Sequence, residues 1–235
     1  SVAAVSITNL DAETSGVVTV NAGITTLTGT LAEVQAAFDA NDAGTATGLD
    51  DTEAVTITDT SIAAADLNTL NPETTGVINA ASVTTLTGSA ADVITAYAAN
   101  TAGTVSGLGN EALTLSGNTS VANQATLDGK TTGIITATIS EGDMATLASL
   151  VDANNNNALT VTVTDTTVAA ADLNTLDGKT SVAINANSIA TMTGTAADVK
   201  TALDSSGITE DGGIEVTVTG TAAATDLTAI AAATS

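Results

Sequence analysis

The chain contains no cysteine, no histidine, no tryptophan and no arginine. Without cysteine and histidine it can form no disulfide and none of the usual zinc, iron or copper sites. The same absence excludes every catalytic triad that uses a histidine base. One Phe and one Tyr are the only aromatic residues. Because ligand pockets rely on aromatic side chains, we expect no large aromatic-lined pocket.

Positive charge is almost absent as well. Three Lys residues stand against 26 Asp and Glu residues, which gives a formal net charge of −23. Nucleic-acid binding needs a basic surface, so we expect no nucleic-acid partner. No run of 18 apolar residues is present, so we expect no membrane insertion. The chain starts at Ser1 partway through a repeat, and we expect a mature product or a piece of something longer.

The most prominent feature of the sequence is an internal repeat. A marker of the type ETTG ends at Gly16, Gly76 and Gly133, and its fourth copy ends at Ser181. The spacings, about 48 to 60 residues, lie in the range of solenoid repeats. We therefore predict one solenoid with a partial repeat and four two-coil repeats, over residues 1–16, 17–76, 77–133, 134–181 and 182–235.

Each half of a repeat has the pattern of a strand followed by a helix. Val161 and Val163 alternate with threonines, which is the period-2 pattern of a strand with one buried face. In the helical segments, a Ser or Thr precedes an acidic residue by three positions, which predicts N-terminal capping. These pairs are Thr30 with Glu33, Ser89 with Asp92, and Thr195 with Asp198. Leu173 and Leu176 are the apolar anchors predicted for a shorter helix.

Alternating strands and helices imply parallel strands with crossover helices. The strands alternate Thr with Val, so we predict an α/β solenoid whose parallel sheet is covered by helices on one face. The other face would be rich in Thr and open to water or a partner. A parallel β-solenoid without helices is the alternative, because the Thr-x-Thr strands are short.

Three phrases carry a family resemblance. "AADLNTLDGKTS" (Ala170–Ser181), "TLTGSAADV" (Thr85–Val93) and "VTVTDTT" (Val161–Thr167) resemble repeats of very large acidic cell-surface and secreted proteins of marine cyanobacteria and related bacteria. The resemblance covers nearly the whole chain. It implies a role in motility, surface layers or adhesion. Some such proteins carry glycine-rich calcium repeats of the form GGxGxD, which this chain lacks, so those calcium sites are not carried over.

Two acidic loops are candidates for calcium, which takes six to eight oxygen ligands. Their carboxylates are those of Asp50, Asp51 and Glu53 in the first loop, and of Glu210 and Asp211 in the second. The alternative is that these loops are simply solvated. Other acidic residues recur at helix starts, which favours capping over a catalytic pair: Asp66, Asp92, Asp172, Asp198 and Asp226.

The phrase DGKT resembles the end of a phosphate-binding loop but lacks its earlier glycine. No unique polar cluster stands out from the repeats, so we expect no enzyme activity. We predict an extracellular or cell-surface structural protein that associates end to end into a filament, surface layer or adhesin stalk. The alternative is a surface-binding module for calcium, polysaccharide or ice that uses the Thr-rich face or the acidic loops.

Overall fold

A computed structural model describes residues 1–21, 23–155 and 157–234, and helices and strands alternate along them. The helices are α1 (Ala4–Glu13), α2 (Leu31–Ala43), α3 (Ala64–Leu70), α4 (Ala90–Ala102), α5 (Val121–Asp128), α6 (Met144–Leu147), α7 (Ala170–Asp177), α8 (Ala196–Asp204) and α9 (Ala224–Ala233). A short 3₁₀ helix, Asn71–Glu73, follows α3.

Most strands are only two to five residues long. They are β1 (Val2–Ala3), β2 (Val18–Thr19), β3 (Thr26–Gly29), β4 (Ala46–Thr47), β5 (Ala54–Ile57), β6 (Ser61–Ala63), β7 (Ile78–Asn79), β8 (Thr85–Gly88), β9 (Val105–Ser106), β10 (Ala112–Thr119), β11 (Ile135–Ile139), β12 (Ala158–Thr160), β13 (Thr167–Ala169), β14 (Ile184–Asn185), β15 (Thr191–Gly194), β16 (Ile208–Thr209) and β17 (Glu215–Val218).

The chain divides into two compact units. The first unit comprises Ser1–Thr114 with Lys130–Gly133, and the second comprises Leu115–Gly129 with Ile134–Ser235. In the first unit, β1, β3, β5, β7 and β9 form one sheet in that order, and β2 pairs with β4. The pairings of this sheet are parallel, and its register lines up a column of apolar residues: Val2, Leu27, Val55, Ile78 and Val105.

The second unit is built in the same way. β13, β15 and β17 pair in parallel and align Val168, Met192 and Val216. Two further parallel pairs are β14 with β16, and β11 with β12. In all of these pairs the partner residue lies about 22 to 24 residues further along the chain. The regular interval therefore reflects one strand and one helix per step.

The alternation of Val and Thr produces the expected burial. Leu159, Val161 and Val163 are fully buried, whereas the threonines between and after them, Thr160, Thr162 and Thr164, are exposed. The regular strand is shorter than predicted, since β12 ends at Thr160 and continues only as a single bridge from Thr162 to Asn185. The hydrophobic pattern thus extends beyond the hydrogen-bonded ladder.

The predicted capping pairs are confirmed. The hydroxyls of Thr30, Ser89 and Thr195 accept hydrogen bonds from the backbone N–H three residues later. Only Thr30 has the full reciprocal pair, because the longer Glu33 side chain reaches back to the Thr30 N–H at 2.8 Å. The shorter Asp92 and Asp198 accept from the capping hydroxyl instead. The five recurring Asp residues all lie in the first turn of a helix.

The fold is therefore α/β, with parallel strands that alternate with helices, as predicted. The alternative without helices is wrong, because the capped segments rich in Ala and Leu are helical. Leu173 and Leu176 are buried in α7, as expected for the anchors of the shorter helix. Across the described residues, no helix has both the length and the apolar character required to span a membrane.

Candidate functional site: an acidic groove between α2 and α3

In the first unit, α3 is offset from α2, and a groove lies between the two helices. Helices α1 and α2 directly follow β1 and β3, which belong to one sheet. β5 pairs with β3 in register, yet no helix follows it. The chain first forms an extra strand, β6, which pairs with β8, and only then starts α3. The extra strand displaces α3 from α2 and opens a cavity of about 430 Å³.

The walls of the groove are apolar and its rim is acidic. Its apolar side chains are those of Leu31, Ala32 and Ala36 on α2, and of Ile62 and Ala63 on β6. Its carboxylates come from Asp39 on α2, Asp59 in the link between β5 and β6, and Asp66 on α3. Gln35, Ser61 and Thr69 complete the lining.

The Asp59 carboxylate is fixed by the strand register. Gly29 pairs with Ile57, so the residues two positions further on, Leu31 and Asp59, lie side by side. The Leu31 N–H donates to Asp59 Oδ2 at 2.7 Å. The first N–H groups of a helix have no partner within the helix and carry its positive end. Asp59 therefore stabilises the start of α2 and holds one charge at the groove.

Gln35 adds a second polar feature. Its amide Nε2 donates to Asp39 Oδ1 at 2.9 Å, which positions that carboxylate. Its carbonyl oxygen Oε1 is shielded from solvent and has no hydrogen-bond partner. An acceptor shielded from water without a donor costs free energy. The groove thus presents three carboxylates, while the Gln35 carbonyl oxygen stays buried beside them.

This arrangement is suited to binding a cation. No Lys lines the groove, so no positive side chain in its lining offsets the three carboxylates. Besides Gln35 and the carboxylates, its polar groups are the hydroxyls of Ser61 and Thr69.

A second polar cluster is buried at the end of α4. The Tyr97 hydroxyl donates to Glu111 Oε2 at 2.8 Å, and the Gly109 N–H donates to both oxygens of the same carboxylate at 2.9 and 3.0 Å. Glu111 is fully buried. Burial, followed by the negative charge of Glu111, raises the pKa of the Tyr97 hydroxyl well above its ordinary value.

The preceding repeat has the same carboxylate without the hydroxyl. Phe38 on α2 occupies the position of Tyr97 on α4, and Glu53 that of Glu111. Glu53 is also buried, with a relative exposure of 1%. Its Oε1 accepts from the Asp50 N–H at 3.0 Å, but its Oε2 has no partner. Because a phenyl ring cannot donate, this buried oxygen stays unsatisfied.

The first predicted calcium loop is organised by its own hydrogen bonds. Asp50 Oδ1 accepts from the Thr52 hydroxyl at 2.6 Å, and this bond holds the pKa of Asp50 below its ordinary value. Asp51 is exposed and has a positive φ of 61°. Glu53 points into the protein interior, where its Oε1 accepts from the Asp50 N–H. The loop therefore brings Glu53 to the Asp50 backbone.

The second predicted calcium loop is similar. Glu210 Oε2 accepts from the Gly212 N–H at 2.7 Å, and Asp211 is exposed. No group of three or more acidic side chains within the described ranges is close enough to hold a metal ion. Calcium binding by either loop stays a prediction.

The two DGKT phrases serve the packing of successive turns of the chain. Asp128 Oδ2 accepts from the Ala153 N–H at 3.1 Å, and Asp177 Oδ2 accepts from the Ser205 hydroxyl at 2.7 Å. Both aspartates thus bind the loop about 25 to 28 residues further along the chain. Each phrase also begins where a helix ends, because α5 ends at Asp128 and α7 at Asp177.

Sequence reasoning missed the groove and its capping aspartate. Asp59 lies in the phrase TDT before AAADLNTL, and Asp165 occupies the same place in the later copy. Asp165 Oδ2 accepts from the Met144 N–H at 2.6 Å, so it also caps the preceding helix. The sequence did contain one signal: this aspartate recurs in both copies although it does not lie in the first turn of a helix.

Comparisons of the chain with protein-family models, with curated proteins and with solved structures found no match.

Proposed function

We propose that this chain is a structural repeat module of the cell surface or extracellular space, a solenoid of strand–helix coils that stacks through its open coil edges. Such stacking continues the parallel ladder into a filament, surface layer or adhesin stalk. The next coil is supplied by a longer chain or by a second copy.

One observation carries the proposal: the coil formed by β17 and α9 is only partly covered. Val168 and Met192, aligned with Val216 in the same sheet, are 4% and 1% exposed. Val216 and Val218 on β17 are only half buried, and Ile230 is the one residue of α9 among the described buried residues. An open strand edge beside an apolar surface is a template for another strand.

The first unit supports the same interpretation. Within its described residues β1 pairs only with β3, on one side. Helix α1 carries Leu10, which is 53% exposed, and α9 in the second unit carries Leu227, which is 44% exposed. These apolar side chains on edge helices are surfaces that a further coil would bury.

Assembly is opposed by like charge. The net charge of −23 repels copies at low ionic strength, whereas a Debye length of about 8 Å at physiological salt weakens that repulsion. We therefore expect end-to-end association to increase with salt and with protein concentration.

The test is analytical ultracentrifugation and negative-stain electron microscopy across a salt series, with calcium and then with chelator. We expect rods that lengthen with salt, and we expect Leu227→Glu to shorten them. Val77→Glu is the matched control, because Val77 has the same 44% exposure and belongs to neither β17 nor α9. Single particles of one chain at every salt and concentration would refute stacking between copies.

Location is tested separately. Protease added to intact source cells should digest the chain if it lies at the surface, and the culture medium should contain it if it is released. Protection of the whole population inside intact cells would refute the extracellular part of the proposal.

A further inference from the structure

We infer that the groove between α2 and α3 binds a linear aliphatic diamine, with its methylene chain on the apolar walls and its ammonium groups on the acidic rim. This inference is independent of the proposed structural role. Its evidence is the shape of the groove, its charge, and the kinds of side chain in its lining.

The size of the groove fits a small ligand. Its volume of about 430 Å³ lies within the range of roughly 300–1,000 Å³ typical of small-molecule sites. Leu31 and Ile62 are each 7% exposed and give it apolar walls. Ala32, Ala36 and Ala63 have short side chains, so a thin extended chain can lie along them.

The charge of the groove selects a cation. Asp39, Asp59 and Asp66 place three negative groups around the walls, and the lining contains no Lys to offset them. The two polar contacts among these groups, the Leu31 N–H on Asp59 and the Gln35 amide on Asp39, are neutral donors. A positively charged ligand therefore gains ion pairs that the protein itself does not supply.

The side-chain types distinguish among cations. Calcium requires six to eight oxygen ligands at 2.3–2.6 Å, and no metal-holding group of three acidic side chains occurs in the described part of the chain. Quaternary ammonium ions are recognised by aromatic cages, whereas no aromatic residue lines this groove. A primary ammonium group has three N–H donors, and it can pair with the carboxylates that line the groove.

The experiment is calorimetric titration of the whole chain with octamethylenediamine at fixed ionic strength. The corresponding diol and octylamine are the ligand controls. We expect the diamine to bind more tightly than octylamine, and we expect no heat from the diol, because both charges and the apolar chain contribute. Equal affinity for the diamine and octylamine would overturn the two-ended pose.

Substitutions of charged residues locate the site. Asp39→Asn and Asp66→Asn should each weaken diamine binding by roughly fivefold, the effect of losing one partly exposed ion pair. Asp42→Asn on the same helix, and Asp172→Asn at the equivalent position of α7, remove the same charge outside the groove. These two should change affinity less than twofold. Equal weakening by all four variants would show general charge attraction and overturn the inference.

A substitution that fills the groove tests the inference without changing any charge. Ala36 is exposed on α2, so Ala36→Leu should fold normally and abolish diamine binding by occupying the groove. Ala91→Leu on α4 is the control and should bind as the parent does. Calcium binding that exceeds diamine binding, and that is lost in Asp39→Asn and Asp66→Asn, would overturn the inference in favour of a metal site.

Discussion

The Tyr97 hydroxyl donates to the buried Glu111 carboxylate at 2.8 Å, and this bond is absent from the equivalent pair of Phe38 and Glu53. Hydrogen bonds to charged groups contribute more than neutral ones do. We predict that Tyr97→Phe lowers the free energy of unfolding by about 2 kcal/mol. Urea unfolding measures this change, and a double-mutant cycle with Glu111→Gln should give a coupling energy of about 1–2 kcal/mol. A coupling near zero would contradict it.

The same tyrosine predicts sensitivity to alkaline pH. Burial and the Glu111 charge raise the pKa of Tyr97 in the folded chain. In the unfolded chain the tyrosine has its ordinary pKa of about 10. Above that pH the folded state binds more protons than the unfolded state. The contribution of Tyr97 to the free energy of unfolding should therefore be constant below about pH 10 and should fall by up to about 1.4 kcal/mol per pH unit above it.

Because Tyr97 is the only tyrosine, tyrosinate absorbance reports this one group directly. We expect it to appear only as the chain unfolds. Tyr97→Phe should lose the Tyr97 part of the alkaline slope and keep the part due to Lys200, whose pKa is raised by its hydrogen bond to Asp204. An unfolding free energy with the same pH slope in both proteins would rule out this linkage.

The preceding repeat offers the reverse experiment. Glu53 Oε2 is buried without a donor, and Phe38 occupies the repeat position that Tyr97 occupies on α4. Phe38→Tyr introduces a hydroxyl where Tyr97 has one, so we predict an increase in the free energy of unfolding of about 1 kcal/mol. Denaturant unfolding checks it, and the gain should be smaller in a Glu53→Gln background, which keeps an acceptor but carries no charge. A loss of stability would mean that the hydroxyl finds no partner at Glu53.

How much the sequence predicts depends on how far apart the interacting residues lie. The pairs Thr30–Glu33 and Ser89–Asp92 are three residues apart, so local spacing sufficed to predict their bonds. Asp59 contacts the N–H of Leu31, 28 residues earlier, and only the register of β3 against β5 brings them together. The groove could not be predicted from local sequence either. It depends on the pairing of the extra strand β6 with β8, and the three residues of β6 do not determine that pairing on their own.

The repeat marker also has a packing role that predicts a sharp difference between its copies. A Cβ added at Gly76 would lie 2.3 Å from the Glu53 carbonyl oxygen, and one at Gly133 would lie 2.2 Å from that of Glu111. At Gly16 the nearest atom is a flexible Thr14 hydroxyl at 3.5 Å.

We predict that Gly76→Ala and Gly133→Ala each lower the free energy of unfolding by about 3 kcal/mol, since backbone must move. Gly16→Ala should change it by less than about 0.5 kcal/mol. Thermal and urea unfolding of the three variants test this. Similar effects at all three positions would show that the marker needs glycine for its backbone conformation, and not because a neighbouring backbone carbonyl packs against it.

The aspartates that cap a preceding helix give the final prediction. Asp59 and Asp165 each accept from the first N–H of a helix, on Leu31 and Met144. Asp59→Ala should lower the free energy of unfolding by about 1 kcal/mol, the usual effect of losing a helix cap. Asp59→Asn keeps an acceptor and should lose only about 0.5 kcal/mol, from the missing charge at the helix N-terminus.

Asp42 is the matched control for this effect. It is exposed near the C-terminal end of the same helix, where a negative charge is unfavourable, so Asp42→Ala should be neutral or slightly stabilising. Hydrogen exchange gives the local measurement, because loss of the Asp59 cap should increase exchange in the first turn of α2 more than in α4. If Asp59→Ala and Asp42→Ala behaved alike, the contact between successive turns of the chain would contribute nothing, and the repeated TDT phrase would have no structural role.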